Sequence, residues 1–317
     1  MTDVVVTDQA FGGVERERAV AQRHGCSFAE HQLSAADETE QAVNGARVVF
    51  TNFAPITESV LSTLGPSAVV IRYGIGVDNV DLAAARRLGV TVCNVPDYGA
   101  ETVADHTVAL LLAVLRRLDI YTQTVRRDGW IDPSRAGAIR SFSESTVGLI
   151  GTGRVGRGVA LRLAPFGFRI LAYDPFIDPA ELGEIGIDAV ELTELLAEAD
   201  AVSVHAPLTE ANRHLLDATR LAMLRPGAVV INTSRGPLID QDALIGALLD
   251  GRLGGAGLDV FEEEPLRHGS PLRDLPNVLL TPHAAFYSDS SLANLQRLAA
   301  EEADRALSGK PPRCPIF

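Results

Sequence analysis

The chain has 317 residues, 46% of them hydrophobic and 22% charged, with a formal net charge of −13. Its length exceeds that at which one hydrophobic core stops growing, so two domains are expected. Nucleic acid is excluded as a general partner, because phosphate contacts draw on a surplus of Lys and Arg, and no run approaches the ~18 apolar residues of a membrane span.

In chain order, the first hundred residues alternate short β-type runs with helix-like segments. The runs are VVVTD from Val4, CSFAEH from Cys26, RVVFTN from Arg47, AVVIRY from Ala68 and VTVCNV around Thr91. Between them ITESVLSTL and DLAAARRLG carry helical periodicity and stop near a glycine. This is the βαβ rhythm of a parallel sheet. No strand here opens on a glycine-rich loop, so this half is not expected to hold a nucleotide.

From Glu101 a long helix-like stretch, ETVADHTVALLLAVLRRL, runs toward Arg127, and its apolar centre, Val108 to Leu115, predicts a buried helix. A second series follows, with predicted strands VGLIG, RILAYD, AVSVHAP, AVVINTS, AGLDVF and VLLTPH. Six near-continuous apolar runs separated by helices predict a doubly wound sheet buried on both faces. The last segment, SLANLQRLAAEEADRALSG, is amphipathic with no strand after it. It is expected to return to the first domain, giving a discontinuous domain of residues 1–99 plus 286–317 around an inserted domain of residues 100–285.

Cys26, Cys93 and Cys314 are odd in number and lack C-x-x-C spacing, so buried or inert thiols are expected rather than a disulfide framework or a metal site. The single lysine, Lys310, lies beside Pro311 and Pro312, which excludes Schiff-base chemistry by a core lysine. The opening MTDVVVTDQ has no basic region followed by a cleavable apolar stretch, and a cytoplasmic address is the expectation.

Gly151, Gly153 and Gly156 form G-x-G-x-x-G directly after the strand VGLI and at the head of a helix. In that context the pattern is a dinucleotide fingerprint: the glycines allow a tight turn and close approach to a pyrophosphate, whose charge the helix N-terminus favours. Arg154 and Val155 supply backbone N–H groups. Asp174 ends the next strand, where a carboxylate accepts from both ribose hydroxyls and repels a 2′-phosphate. With Pro175 after it and no arginine beside it, NAD is expected over NADP.

Strand C-termini of a parallel sheet share one edge, so residues ending different strands can meet. Arg235 follows AVVINTS, Glu264 follows GLDVFEE and His283 follows VLLTP. A guanidinium suits forked binding of a carboxylate, and an imidazole suits proton exchange with a carbonyl oxygen. A carboxylate that binds the imidazole fixes its tautomer and raises its pKa. Glu262, Glu263 and Glu264 all stand open for that role. His205, near the same edge, is expected to shape the cofactor side rather than to transfer protons.

These motifs, together with GIGVDNVD at 74–81, INTSRGPLID, GLDVFEEEP and LLTPHAA, resemble the D-isomer-specific 2-hydroxyacid dehydrogenase family over almost the whole chain. The resemblance implies two Rossmann-like or flavodoxin-like α/β domains with a cleft between them. It also implies NAD as cofactor, a small anionic 2-oxo or 2-hydroxy acid as substrate, and a homodimer built on the NAD domain. It makes Arg235, Glu264 and His283 the catalytic set, because the family glutamate directly precedes proline. Asp259 is placed near the nicotinamide carboxamide, with Thr102, Pro207 and Thr233 as further cofactor contacts. The loop of Tyr73, Gly74, Ile75 and Gly76 is expected to offer N–H groups to the substrate carboxylate.

Within the family, RYGIGVDNVD, VCNVP and TPHAAFYS look closest to the C-terminal-binding protein branch, which includes corepressors. Arg72 matches a branch arginine able to bind a second acidic group, whereas Phe286 stands where those corepressors carry tryptophan. Two rival functions follow: an NADH-sensing binding protein, and a phosphonate- or phosphite-oxidising dehydrogenase. The second is weakened for phosphite itself by Arg72 and Tyr73, where such enzymes place a lysine.

Overall fold

The structure is a computed structural model describing residues 2–317. It divides into two compact units, residues 1–99 with 287–317 and residues 100–286. The boundary falls one residue beyond the expected return, leaving Phe286 in the second unit.

In the first unit five parallel strands, β1 (Val4–Val6), β2 (Phe28–Glu30), β3 (Val48–Thr51), β4 (Val69–Arg72) and β5 (Thr91–Cys93), lie in the order β2-β1-β3-β4-β5. Side chains alternate across a strand, and here both faces are apolar. Val4, Val6, Val48, Phe50 and Ile71 pack under the helices Glu15–Arg23 and Asp289–Leu307, while Val5, Val49, Val70 and Val92 face Glu58–Ser62 and Leu82–Leu88. Leu295, Leu298, Ala299 and Ala303 put the terminal helix into that first core.

The second unit has seven parallel strands: β6 (Thr146–Ile150), β7 (Arg169–Tyr173), β8 (Asp188–Ala189), β9 (Ala201–Val204), β10 (Val229–Asn232), β11 (Gly255–Leu258) and β12 (Val278–Leu280). Their order is β12-β11-β10-β9-β6-β7-β8. Val147, Leu149, Ile170 and Ile231 fill one core; Ile150, Leu171, Val202, Val204 and Val230 fill the other.

Two sequence expectations are corrected. The sheet has a seventh strand, β8, whose two residues are exposed and carry no apolar run; it is a short polar edge, invisible to hydrophobic patterning. The stretch from Glu101 is two helices, Ala100–Leu115 and Leu118–Asp128, because Arg117 adopts a left-handed φ of 56° and its guanidinium caps the Gly254 carbonyl. No helix among the described residues is long and apolar enough to cross a membrane.

Candidate active site

In the second unit the strand order reverses between β6 and β9, the place where open α/β sheets leave a crevice at their C-terminal edge. Gly151 leaves β6 with φ 94°, and a Cβ there would lie 2.9 Å from the Ala206 nitrogen. A Cβ on Gly156 would collide with the Gly151 carbonyl oxygen, so this glycine lets the helix Arg154–Leu163 sit against the turn. At Gly153 a Cβ would meet nothing within 4 Å. That open space lies at a helix N-terminus with no side-chain cap, a cradle suited to a pyrophosphate.

Asp174, just past β7, braces this cradle. Its Oδ2 accepts from the Thr152 N–H at 2.7 Å and hydroxyl at 2.9 Å, and its Oδ1 from the Phe176 N–H at 3.1 Å. The residues therefore fit NAD: an open cradle at a helix N-terminus with a carboxylate beside it. His205 follows β9, with its Nε2 buried and without a hydrogen-bond partner. Burial alone pushes its imidazole down to about 4, so it is a neutral wall near pH 7.

The next loop is stitched to its neighbours. Ser234 Oγ donates to the Ala206 carbonyl at 2.7 Å, beside Pro207, and Asn232 holds both the Arg235 carbonyl and the Ser234 N–H. The Thr233 and Thr107 hydroxyls lie 2.7 Å apart. Thr107 belongs to the helix Ala100–Leu115, which also carries Thr102. Arg235 itself donates to the Ser234 carbonyl at 2.7 Å.

The three adjacent glutamates have three different partners. Glu262 binds His214, Glu263 binds Arg267, and Glu264 Oε2 lies 2.7 Å from His283 Nδ1. Glu264 Oε1 accepts from the Phe261 N–H at 3.0 Å. Burial opposes its ionisation, but the His283 contact, that N–H and the nearby Arg235 charge together hold its carboxyl below the ordinary glutamate value. Phe286 meets the His283 ring edge-on, with centroids 6.3 Å apart.

His283 occupies φ 52°, a conformation sparse for residues with a side chain. Asp259 sets it there. The Asp259 carbonyl accepts from the His283 N–H at 2.7 Å, while its carboxylate accepts from the Thr281 hydroxyl and the Ala284 and Ala285 N–H groups. His106 Nε2 joins the network, 3.0 Å from the Thr281 hydroxyl. Asp259 is fully buried, and its carboxylate holds the His283 turn. Thr281, Ser234 and His106 were not singled out from the sequence, since each acts through a partner distant in the chain, and Asn232 acts on its own turn, through Ser234 and Arg235.

In the first unit Arg72 ends β4, and a Cβ on Gly74, at φ 120°, would collide with Arg72 Nη1. The guanidinium is thus folded over Gly74. Tyr73 is corrected as a substrate-loop donor: its N–H donates to the Thr51 carbonyl at 2.8 Å, and its ring is buried against Phe50 and Phe11, with its hydroxyl on Glu17. The loop that remains, Gly74 to Gly76, is anchored by its carbonyls to the Val95 N–H and the Asn94 amide, and Ile75 is exposed.

Residues 108–285 match the model of the D-isomer specific 2-hydroxyacid dehydrogenase, NAD binding domain. A D-3-phosphoglycerate dehydrogenase of Mycobacterium bovis is 38% identical over 255 residues, 80% of this chain and 48% of that protein. The chain thus spans about half the length of the curated relatives it matches. Among solved structures, the TT0316 protein from Thermus thermophilus superposes with a TM-score of 0.87 at 35% identity, covering 99% of this chain and 100% of that one. D-Lactate dehydrogenase from Aquifex aeolicus, complexed with NAD and lactic acid, superposes with a TM-score of 0.88 at 29% identity, covering 97% and 96%. With the glycine turn at the switch point of a seven-stranded parallel sheet, the chain belongs to the D-isomer specific 2-hydroxyacid dehydrogenase family, whose NAD binding domain it carries.

Proposed function

We propose that this chain is an NAD-dependent dehydrogenase interconverting a small 2-oxo acid and its D-2-hydroxy acid. His283 acts as acid/base, Glu264 as its orienting carboxylate and Arg235 as the anchor for the substrate carboxylate. The observation that carries the reading is the 2.7 Å contact of His283 Nδ1 with Glu264 Oε2, at the strand edge that also bears the glycine turn.

When bound, NAD supplies or accepts the hydride. The protein's part is positioning and proton transfer. Glu264 engages Nδ1, which assigns proton exchange with the substrate to Nε2: toward the carbonyl oxygen in reduction, from the hydroxyl in oxidation. Arg235 offers a planar fork to the carboxylate and draws electron density from the adjacent carbonyl. N–H groups at the head of the helix Arg154–Leu163 would hold the pyrophosphate, and Asp174 would accept from the ribose hydroxyls.

The relatives' names support catalysis over sensing alone, and D-3-phosphoglycerate and lactic acid are both 2-hydroxy acids. Arg72 is proposed to favour substrates with a second acidic group, and the assembly is proposed to be a homodimer of cytoplasmic address. The test is NADH oxidation with a panel of 2-oxo acids, alongside NAD reduction with phosphite and phosphonates. Turnover of a 2-oxo acid supports the proposal. Tight NADH binding with no turnover across the panel would replace it with the sensor reading, and turnover confined to phosphorus substrates would replace it with the third.

A further inference from the structure

Between β9 and β10 the chain passes through His214, which holds φ 52°. Its N–H donates to the Pro237 carbonyl at 2.8 Å, two residues past Arg235. Leu216 continues this contact, donating to Leu238 at 3.0 Å and accepting from the Asp240 N–H at 3.1 Å. The His214 ring then reaches a different loop: Nε2 bonds Glu262 Oε1, while Nδ1 lies 3.9 Å from Asp240 Oδ2. Arg213 Nη2 is 3.8 Å from the same Glu262 oxygen, and Gln241 accepts from the Glu262 N–H at 3.3 Å.

The two loops joined in this way already touch backbone to backbone. A Cβ on Gly236 would collide with the Phe261 carbonyl carbon and oxygen, so no side chain separates the turn after Arg235 from the segment leading to Glu264. A left-handed backbone at a histidine persists only where its surroundings over-determine it. A half-exposed ion pair adds little to stability. Its larger effect here is geometric, because Glu262 lies two residues before Glu264, the carboxylate that reaches His283.

We propose that His214 is a positioning residue: it clamps Glu262 to the turn that carries Arg235 and so fixes the segment that presents Glu264 to the His283 imidazole. This rests on the dehydrogenase reading above. It also predicts a structural signature that does not depend on turnover, the His283 Nδ1–H proton shared with Glu264.

The experiment measures kcat, KM and NADH affinity together with that downfield proton by NMR, assigned through its loss in His283→Asn. In His214→Ala, kcat for the best 2-oxo acid is expected to fall about ten- to a hundredfold, the cost of a small misplacement, with NADH affinity unchanged and the Nδ1–H signal shifted or broadened. His214→Gln, which can still donate to Glu262, should restore both. Glu262→Ala, available should His214→Ala not fold, should reproduce the loss, and the double variant should be no worse than either single one. Unchanged kcat and an unchanged proton signal in either alanine variant would overturn the proposal, as would losses that multiply in the double variant. Absence of wild-type turnover would sink the dehydrogenase reading while the proton signal still decided the clamp.

Discussion

His283 has its backbone fixed by Asp259 and its ring fixed by Glu264, both on the segment that follows β11. Replacing it with alanine is expected to abolish turnover while leaving NADH binding within about twofold, read by NADH fluorescence, because general acid–base removal acts on chemistry rather than on cofactor affinity. Acid sensitivity has two contributors at this scale. The folded-state values of both Glu264 and His205 are depressed, so each adds stability that is present above its unfolded value and lost as the pH falls through its folded value. For His205 the window runs from about 6.5 in the unfolded chain down to about 4 in the fold. His205→Gln should therefore flatten the decline of melting temperature across that window; an unchanged slope would show that the imidazole is not buried neutral. The choice among Glu262, Glu263 and Glu264 was open to residue chemistry, since all three are carboxylates on one turn. Glu263 pairs locally with Arg267, four residues on, whereas the partners of Glu262 and Glu264, His214 and His283, are set by tertiary contacts.

At the scale of elements, the fingerprint separates two effects of one substitution. Gly156→Ala forces a methyl into the Gly151 carbonyl and should destabilise the helix–strand packing, lowering the melting temperature by several degrees. Gly153→Ala meets no protein atom within 4 Å. It should leave stability near wild type and weaken NADH binding, as measured by fluorescence titration; equal loss of stability in both variants would contradict this division. Asp174→Ala should reduce the preference for NAD over NADP and loosen the turn it braces through Thr152. Buried strands were legible because each is a continuous apolar run on both faces. The polar strand β8 and the break at Arg117 were not, as one depends on pairing with Leu171 and Ala172 and the other on a bond to Gly254.

Across the whole molecule, the first unit is completed by chain from its far end. Leu298 on the terminal helix is 4% exposed in a core with Val4, Val6 and Phe50. Leu298→Ala is expected to cost about 2–5 kcal/mol in the first unit, seen as a lowered urea midpoint for one of two unfolding steps. A single shift shared by every probe would instead show one cooperative unit. The last residues also close a sheet edge: Pro315 bridges Cys93 antiparallel, and the Ile316 N–H donates to Val92 at 2.9 Å. That pairing leaves Cys93 buried, its thiol pushed up to about 12 by burial and neighbouring acidic groups, hence inert.

The amino-acid sequence by itself determined what local order can encode: apolar runs of strand length, helical periodicity, and a glycine turn followed by an acidic strand end. It also determined which residue types were available for proton transfer and carboxylate binding. Only the tertiary structure decided which polar groups are engaged and with what. Tyr73 looked like a loop donor until its N–H paired with Thr51 and its ring entered the core, and nothing in the order of residues showed that the Asp259 carboxylate braces the His283 turn. The physical reason is the same in both cases. A hydrogen bond is short and directional, so its partner is fixed by three-dimensional placement to within tenths of an ångström, a precision that hydrophobic periodicity along one chain does not carry.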